Sequence, residues 1–193
     1  MTDRTHDIAL VERYVAGDLN AFDDLVRRHQ DRVFGICLRM LRDREAALDA
    51  MQDTFVTLFR KADRYKAEAA FTTWLYRVTV NVCYDHLRRG QRRRTEALPE
   101  TTDPVDPHGE DPYASVEVRP AIDDALESIA PEFRAAIILV DLQGLSLEMA
   151  AEALGAPIGT VKSRVFRGRR LLADVLGNLR PSSKHQSDEP QRE

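Results

Sequence analysis

The stretch GLSLEMAAEALGAPIGTVKSRVFRGRRLL, residues 144–172, decides the reading of this chain. It joins a short apolar helical pattern, a turn carrying Gly155, Pro157 and Gly159, and a second helix studded with basic residues. That is the order a helix-turn-helix requires. At 100° per residue, Val161, Val165, Leu172, Val175 and Leu176 converge on one face of the second helix. Ser163, Phe166, Arg167 and Arg170 fall on the opposite face, with Lys162 at its edge. One face packs and the other is free to enter a major groove. Arginine can bond a guanine edge bidentately, and Thr160, Lys162 and Ser163 near the helix start can hold phosphates.

A second basic helix lies upstream, FTTWLYRVTVNVCYDHLRRGQRRR, residues 71–94. On its wheel Trp74, Arg77, Asn81, Tyr84 and Arg88 share a stripe about 80° wide, and apolar residues occupy most of the rest. Single-stranded nucleic acid calls for this mixture: cations along the backbone, aromatic faces for unpaired bases and an amide for a base edge. The arginines Arg88, Arg89, Arg92, Arg93 and Arg94 suit duplex phosphates, which makes affinity salt-dependent.

The overall charge hides these surfaces. The chain has 193 residues, 28 basic against 32 acidic, for a net charge of −4. Residues 61–95 carry +6 and residues 133–172 carry +3, whereas residues 96–132 carry −10. The acidic block opens with EALPETTDPVDPHGEDPYASVE, rich in proline and poor in apolar residues, which reads as an extended linker. No strand alternation competes with helical spacing on either side. The expectation is an all-α fold of two small helical domains, 1–95 and 116–177, joined by a flexible acidic linker over 96–115 and followed by a disordered polar tail over 178–193. Asp7, Asn20, Asp43 and Ser146 are the expected N-caps, and Pro131 opens a helix at its first turn.

Other classes are excluded early. The longest strongly apolar run, Ala135–Val140, is far shorter than the roughly 20 residues of a membrane span. The polar N-terminus has no apolar signal core, so a cytoplasmic protein without membrane insertion is expected. The histidines His6, His29, His86, His108 and His185 are scattered, without HExxH or zinc spacing, and no P-loop or GxGxxG occurs. Asp49 and Asp53 stand at i and i+4 but lack a third ligand, while the pairs Asp23/Asp24 and Asp123/Asp124 read as solvated helix surface. No enzyme, metal site or cofactor is expected. Cys37 and Cys83 form no CxxC pair and read as buried free thiols.

Four segments in order, AFDDLVRRH at 21–29, DAMQDTF at 49–55, FTTWLYRVTVNVCYDHLRR at 71–89 and GLSLEMAAEALGAPIGTVKSRVFRGRR at 144–170, resemble an extracytoplasmic-function (group 4) sigma factor of the bacterial sigma-70 family. Details of the second half are similar to an actinobacterial sigma-M-like branch. The resemblance implies a promoter-specificity subunit of RNA polymerase, with residues 1–95 as sigma region 2 and residues 116–177 as sigma region 4. It implies docking on the β′ clamp helices through Asp49, Gln52, Asp53 and Val56, and contact with the β flap. Those acids lie opposite a core face read as Leu48, Met51, Phe55 and Phe59. Asn81 matches the position that helps read the minus-ten element. The loop from Lys61 to Ala70, with Arg64 and Lys66, matches the one that captures a flipped base, a step that aids melting. Trp74, Arg77, Tyr84, Arg88 and Arg89 complete that surface. Thr160, Lys162, Ser163, Phe166, Arg167 and Arg170 match the region that reads the minus-thirty-five element. An anti-sigma factor is the further partner implied.

Three positions depart from the family pattern: Leu48 where an acid is frequent, Phe166 where histidine is common, and Gly168 where alanine is common. Gly168 is expected to weaken its helix by up to about 1 kcal/mol. The alternative is a stand-alone helix-turn-helix transcriptional regulator, which would need a dimerisation or effector domain in place of residues 1–95.

Overall fold

Asp18 starts the central helix of the first bundle: its carboxylate accepts from the backbone N–H of Asn20 at 3.1 Å and is held by Arg13 at 2.6 Å. The cap is therefore Asp18 and not Asn20, because Asn20 already lies inside the helix and supplies the otherwise unpaired N–H that the Asp18 carboxylate satisfies. The computed structural model describes residues 2–65, 70–96 and 120–178. Within them the first bundle consists of α1 (Thr2–Val15), α2 (Leu19–Leu41), α3 (Arg44–Lys61) and α4 (Phe71–Glu96), with a 3₁₀ turn at Ala62–Arg64 after α3. The second consists of α5 (Pro120–Glu127), α6 (Pro131–Ile137), which runs on into a π-helical turn at Ile138–Leu142, α7 (Leu147–Leu154) and α8 (Ile158–Asn178). No strand occurs among the described residues, so the fold is all-α as the periodicity requires. The linker expected at 96–115 and the tail expected at 178–193 lie outside the described residues, apart from Glu96 and Asn178, and so does Lys66.

The caps at Asp43 and Ser146 stand as expected. Ala46 N–H donates to Asp43 at 2.8 Å and Met149 N–H donates to Ser146 Oγ at 3.2 Å. Pro131 occupies the first turn of α6. Asp7 does not cap α1, which begins at Thr2; it lies inside the helix, 1% exposed, 3.1 Å from His29 Nε2 and 3.2 Å from Arg28 Nε. A carboxylate is buried only beside compensating partners, and two adjacent residues of α2 provide them.

In the first bundle α2 is central, packing on α1, α3 and α4. Its inward residues Val33, Phe34, Ile36, Cys37 and Met40 are fully buried. The face that α3 turns to it is Ala47, Ala50, Thr54 and Leu58. Leu48, Met51 and Phe55 are only half-buried and Phe59 is 47% exposed, which corrects the core face read from the wheel. Small side chains let two helices approach closely and so take the centre of the contact, pushing the bulky ones to its rim. Cys37 and Cys83, distant in sequence, meet between α2 and α4 with their sulfurs 3.8 Å apart, and the hydrogen bond with Cys83, together with burial, pushes the Cys37 thiol up.

Close approach also explains Gly168. A Cβ on this residue would lie 2.9 Å from Cγ1 of Ile137 and 3.2 Å from its Cδ1. The missing side chain is what lets α8 lie against α6, so the cost in helix propensity is the condition of the packing. The two bundles touch: α4 packs on α7, and α2 meets α5 and α6. Asp123, expected on solvated surface, is 2% exposed and faces Arg39 of α2 at 3.3 Å. Its partner lies in the other bundle, which helix periodicity does not report.

Candidate nucleic-acid interface

The turn of the second bundle is built as a helix-turn-helix. Gly155 ends α7 in the left-handed region at φ 58°, and its N–H and the chain beyond return to α7 carbonyls. Val161 and Val165 are buried, which fixes the rotation of α8. Lys162, Ser163, Phe166, Arg167 and Arg170 consequently point to solvent, and Thr160 is half-buried. Phe166, at 67% exposure, is an apolar group on an otherwise basic face, suited to a thymine methyl. Arg167 and Arg170 border a cavity of about 320 Å³ together with Phe133, Leu171 and Asp174. Arg169 leaves this face. Its Nε donates to Asp141 at 3.0 Å, and that carboxylate raises the arginine's pKa above the ordinary value. Arg169 thus secures α8 to the π-helical turn instead of facing outward with its neighbours.

On α4 the stripe divides. Arg77, Asn81, Arg88 and Arg89 are exposed, whereas Trp74 and Tyr84 are half-buried. Trp74 stacks on Tyr65 with ring centroids 5.3 Å apart and planes 30° apart, and Phe71 meets Trp74 edge-on at 5.9 Å. Tyr65 belongs to the same surface but escaped the sequence reading, because an aromatic in a loop has no periodicity to mark it. Lys61 and Arg64, both exposed, flank it. Burial pushes the Tyr84 hydroxyl above its usual range while Arg164 pulls it down, so α8 lies beside this end of the stripe. Arg88 pairs with Asp85 on its own helix.

Asp49, Gln52, Asp53 and Val56 are all exposed on the side of α3 away from α2. Three of them share with α4 a cavity of about 620 Å³, whose lining includes Asp49, Gln52 and Asp53 on one side and His86, Arg89 and Arg93 on the other. Asp53 crosses it, 3.0 Å from His86 Nε2 and 3.7 Å from Arg89. The acids are accessible, but Asp53 already has partners in the chain. Among the described residues no group of His, Cys, Asp and Glu could hold a metal ion, and no helix is long and apolar enough to cross a membrane.

An all-helical protein with one helix-turn-helix bundle and one bundle carrying a basic, aromatic helix is the class that these observations define. The Sigma-70 region 2 family matches residues 25–93, and the Sigma-70, region 4 family matches residues 119–172. ECF RNA polymerase sigma factor SigE of Mycolicibacterium smegmatis is 41% identical over 174 residues, covering 89% of this chain and 65% of that protein. The chain thus spans just under two thirds of the length of this relative. ECF RNA polymerase sigma factor SigM of Mycobacterium tuberculosis is 41% identical over 173 residues, covering 90% of this chain and 86% of that protein. Among solved structures, CnrH in complex with the cytosolic domain of CnrY superimposes with a TM-score of 0.67 at 25% identity, over 90% of this chain and 98% of that one. The sigma factor RpoE of Bartonella quintana, in complex with the anti-sigma factor NepR, shares the fold with a TM-score of 0.68 at 24% identity, over 82% and 98% of the two chains. The chain belongs to the sigma-70 family of RNA polymerase sigma factors, in its extracytoplasmic-function group.

Proposed function

We propose that this protein directs core RNA polymerase to a set of promoters and helps to open them. Asp49, Gln52, Asp53 and Val56 dock on the β′ clamp helices, and the second bundle meets the β flap. The observation that carries this reading is that α3 and α4 pack on one another and each keeps an exposed surface: the acids of α3, where Asp53 contacts His86 of α4, and the Arg77, Asn81 and Arg88 stripe on another side of α4. A polymerase held on the first surface brings melted DNA to the second. Trp74 and Tyr65 offer ring faces to unpaired bases, Asn81 an amide for a base edge, and Lys61, Arg64, Arg88 and Arg89 charge for the backbone. Thr160, Lys162, Ser163, Phe166, Arg167 and Arg170 read the upstream duplex, the arginines suited to guanine edges.

RNA synthesis belongs to the polymerase, so the chain acts as a non-enzymatic DNA-binding regulator in the cytoplasm. A protein inhibitor of the anti-sigma kind is the third partner, in keeping with the named complexes of CnrH and RpoE. Run-off transcription with purified core polymerase across a promoter library tests the reading. The expected result is a new set of start sites; an unchanged start-site profile would refute it. Asn81→Ala should reduce permanganate-detected opening more than it reduces core binding, and equal loss of both would remove Asn81 from the strand-holding surface.

A further inference from the structure

The thiols of Cys37 and Cys83, the only cysteines of the chain, take no part in the promoter-reading surfaces. They stand 46 positions apart in sequence, one on α2 and the other on α4, and their sulfurs lie 3.8 Å from one another. Both are fully buried and unpaired by any disulfide. The core around them is apolar: Val33, Phe34, Ile36 and Met40 of α2 and Leu75 and Val80 of α4 are buried in the same cluster.

A thiol in such a core carries a hazard. Peroxide converts a thiolate to a sulfenic acid, and further peroxide carries it irreversibly to a sulfinic acid. A sulfinate is an anion, and an anion in an apolar core is among the costliest groups to bury. A second thiol at contact distance offers another exit, because its sulfur can attack the sulfenic sulfur before more oxidant arrives. The product, a disulfide, is neutral and can stay buried.

We propose that Cys37 and Cys83 form a reversible oxidation site for peroxides, in which one thiol takes the oxidant and the other resolves it as an intrachain disulfide tying α2 to α4. In the first step the sulfur of one thiolate attacks a peroxide oxygen and the O–O bond breaks. The leaving hydroxide takes up the thiol's proton and departs as water, leaving a sulfenic acid. In the second step the other sulfur attacks the sulfenic sulfur, the S–O bond breaks and the S–S bond forms, and a second water leaves with the second thiol's proton. Two thiols together lose two electrons and two protons, and one hydrogen peroxide becomes two waters. The sulfurs are already in contact on helices that pack together, so closure takes side-chain rotation and a small approach.

Burial sets the tempo. The raised Cys37 thiol keeps its thiolate scarce, and oxidant reaches either sulfur only when the bundle opens locally. The site therefore answers strong or sustained peroxide and not brief exposure. Its product preserves the bundle: α4 carries the exposed Asn81, Arg77 and Arg88, and a disulfide keeps that helix seated where a sulfinate would drive it from α2. None of this chemistry draws on promoter binding, so it stands or falls on the isolated chain.

The test uses the full chain treated with millimolar hydrogen peroxide, digested without reduction and mapped by mass spectrometry. The expected product is a Cys37 peptide joined to a Cys83 peptide, two hydrogens lighter than their sum, and dithiothreitol should restore iodoacetamide labelling of both sites. Cys37→Ala and Cys83→Ala, each compared with its own untreated state, should convert the remaining cysteine to sulfinic or sulfonic acid and lose roughly 5 °C or more in melting temperature. The double variant keeps the four methionines and so reports what peroxide does elsewhere in the chain. Both it and the native protein should lose less than either single variant. Native thiols that remain alkylatable after denaturation, pass to sulfinic acid or link only between chains would overturn the site, and so would single variants that lose no more than the double one. The peptide map is read on the native chain, so it decides even where a variant folds poorly.

Discussion

His86 of α4 lies 3.0 Å from the carboxylate of Asp53 on α3, which ties the proposed polymerase-docking surface to the helix proposed to hold melted DNA. A partner that draws on Asp53 therefore acts on a group that α4 also uses. The Asp53 side chain is 53% exposed and that of His86 15%, and with one partner open to water the contact itself is worth at most about 1 kcal/mol.

Asp53→Ala and His86→Ala should consequently separate. We expect Asp53→Ala to weaken core polymerase binding roughly tenfold, about 1.4 kcal/mol, because it removes a charge from the docking surface. His86→Ala should leave binding nearly unchanged and lower stability by less than about 1 kcal/mol. Titration of labelled protein with core polymerase, alongside urea unfolding, checks the pair; comparable binding losses in both variants would make Asp53 a structural residue.

Gly168→Ala sets helix propensity against packing. Propensity favours the variant by up to about 1 kcal/mol, whereas the added methyl would meet Ile137, itself 3% exposed and unable to move freely. Overpacking of this kind costs about 1–3 kcal/mol, so net destabilisation is expected. A higher urea midpoint for Gly168→Ala would show that α6 yields.

Stability should fall on the acid side partly through Asp18. The hydrogen bond from Arg13 holds its carboxyl below the ordinary carboxylate range, assisted by the backbone N–H groups of Asn20 and Ala21. Between the depressed folded pKa and the ordinary unfolded one the unfolded chain binds more protons. The contribution is therefore complete above the ordinary range and is lost as pH falls through the folded value. Asp18→Asn can still cap α2 but cannot ionise, so its thermal stability should vary less with pH across that window than the native protein's. Equal slopes in the two proteins would exclude Asp18 as a source.

Arg167→Ala and Lys162→Ala should differ in kind. Arg167 lies mid-face on α8, and its loss should weaken upstream duplex binding by roughly 1–3 kcal/mol and relax sequence preference at one position. Lys162, nearer the helix start, should weaken binding to all sequences alike and reduce the salt slope by about 1. Competition binding over single-base variants at several salt concentrations distinguishes them, and unchanged discrimination in Arg167→Ala would remove it from the base-reading set.

The exposed faces of α8 and much of α4 are legible in the sequence, because both depend on one helix's own geometry. Once Val161 and Val165 are buried, the 100° advance per residue carries Lys162, Phe166, Arg167 and Arg170 outward. Asp43 and Ser146 were legible for the same reason, since a cap acts within three residues. The centre of the α2–α3 contact was not. Hydrophobicity ranks Leu48 and Phe59 above Ala47 and Ala50, but the separation between helices decides which of them fits.

What is local follows from the chain alone: helical periodicity on both sides of the acidic block, the turn of the helix-turn-helix, a basic face on α8, a basic and aromatic stripe on α4, and exposed acids on α3. Tertiary structure alone decided the pairings between distant residues. It brought Asp7 to His29, Cys37 to Cys83, Trp74 to Tyr65, Gly168 to Ile137 and Arg134 to the carbonyl of Met40. Helical periodicity states which way a side chain points, but not what stands there. Whether a buried carboxylate or guanidinium is tolerated depends on that partner, and the partner is set by how the helices pack.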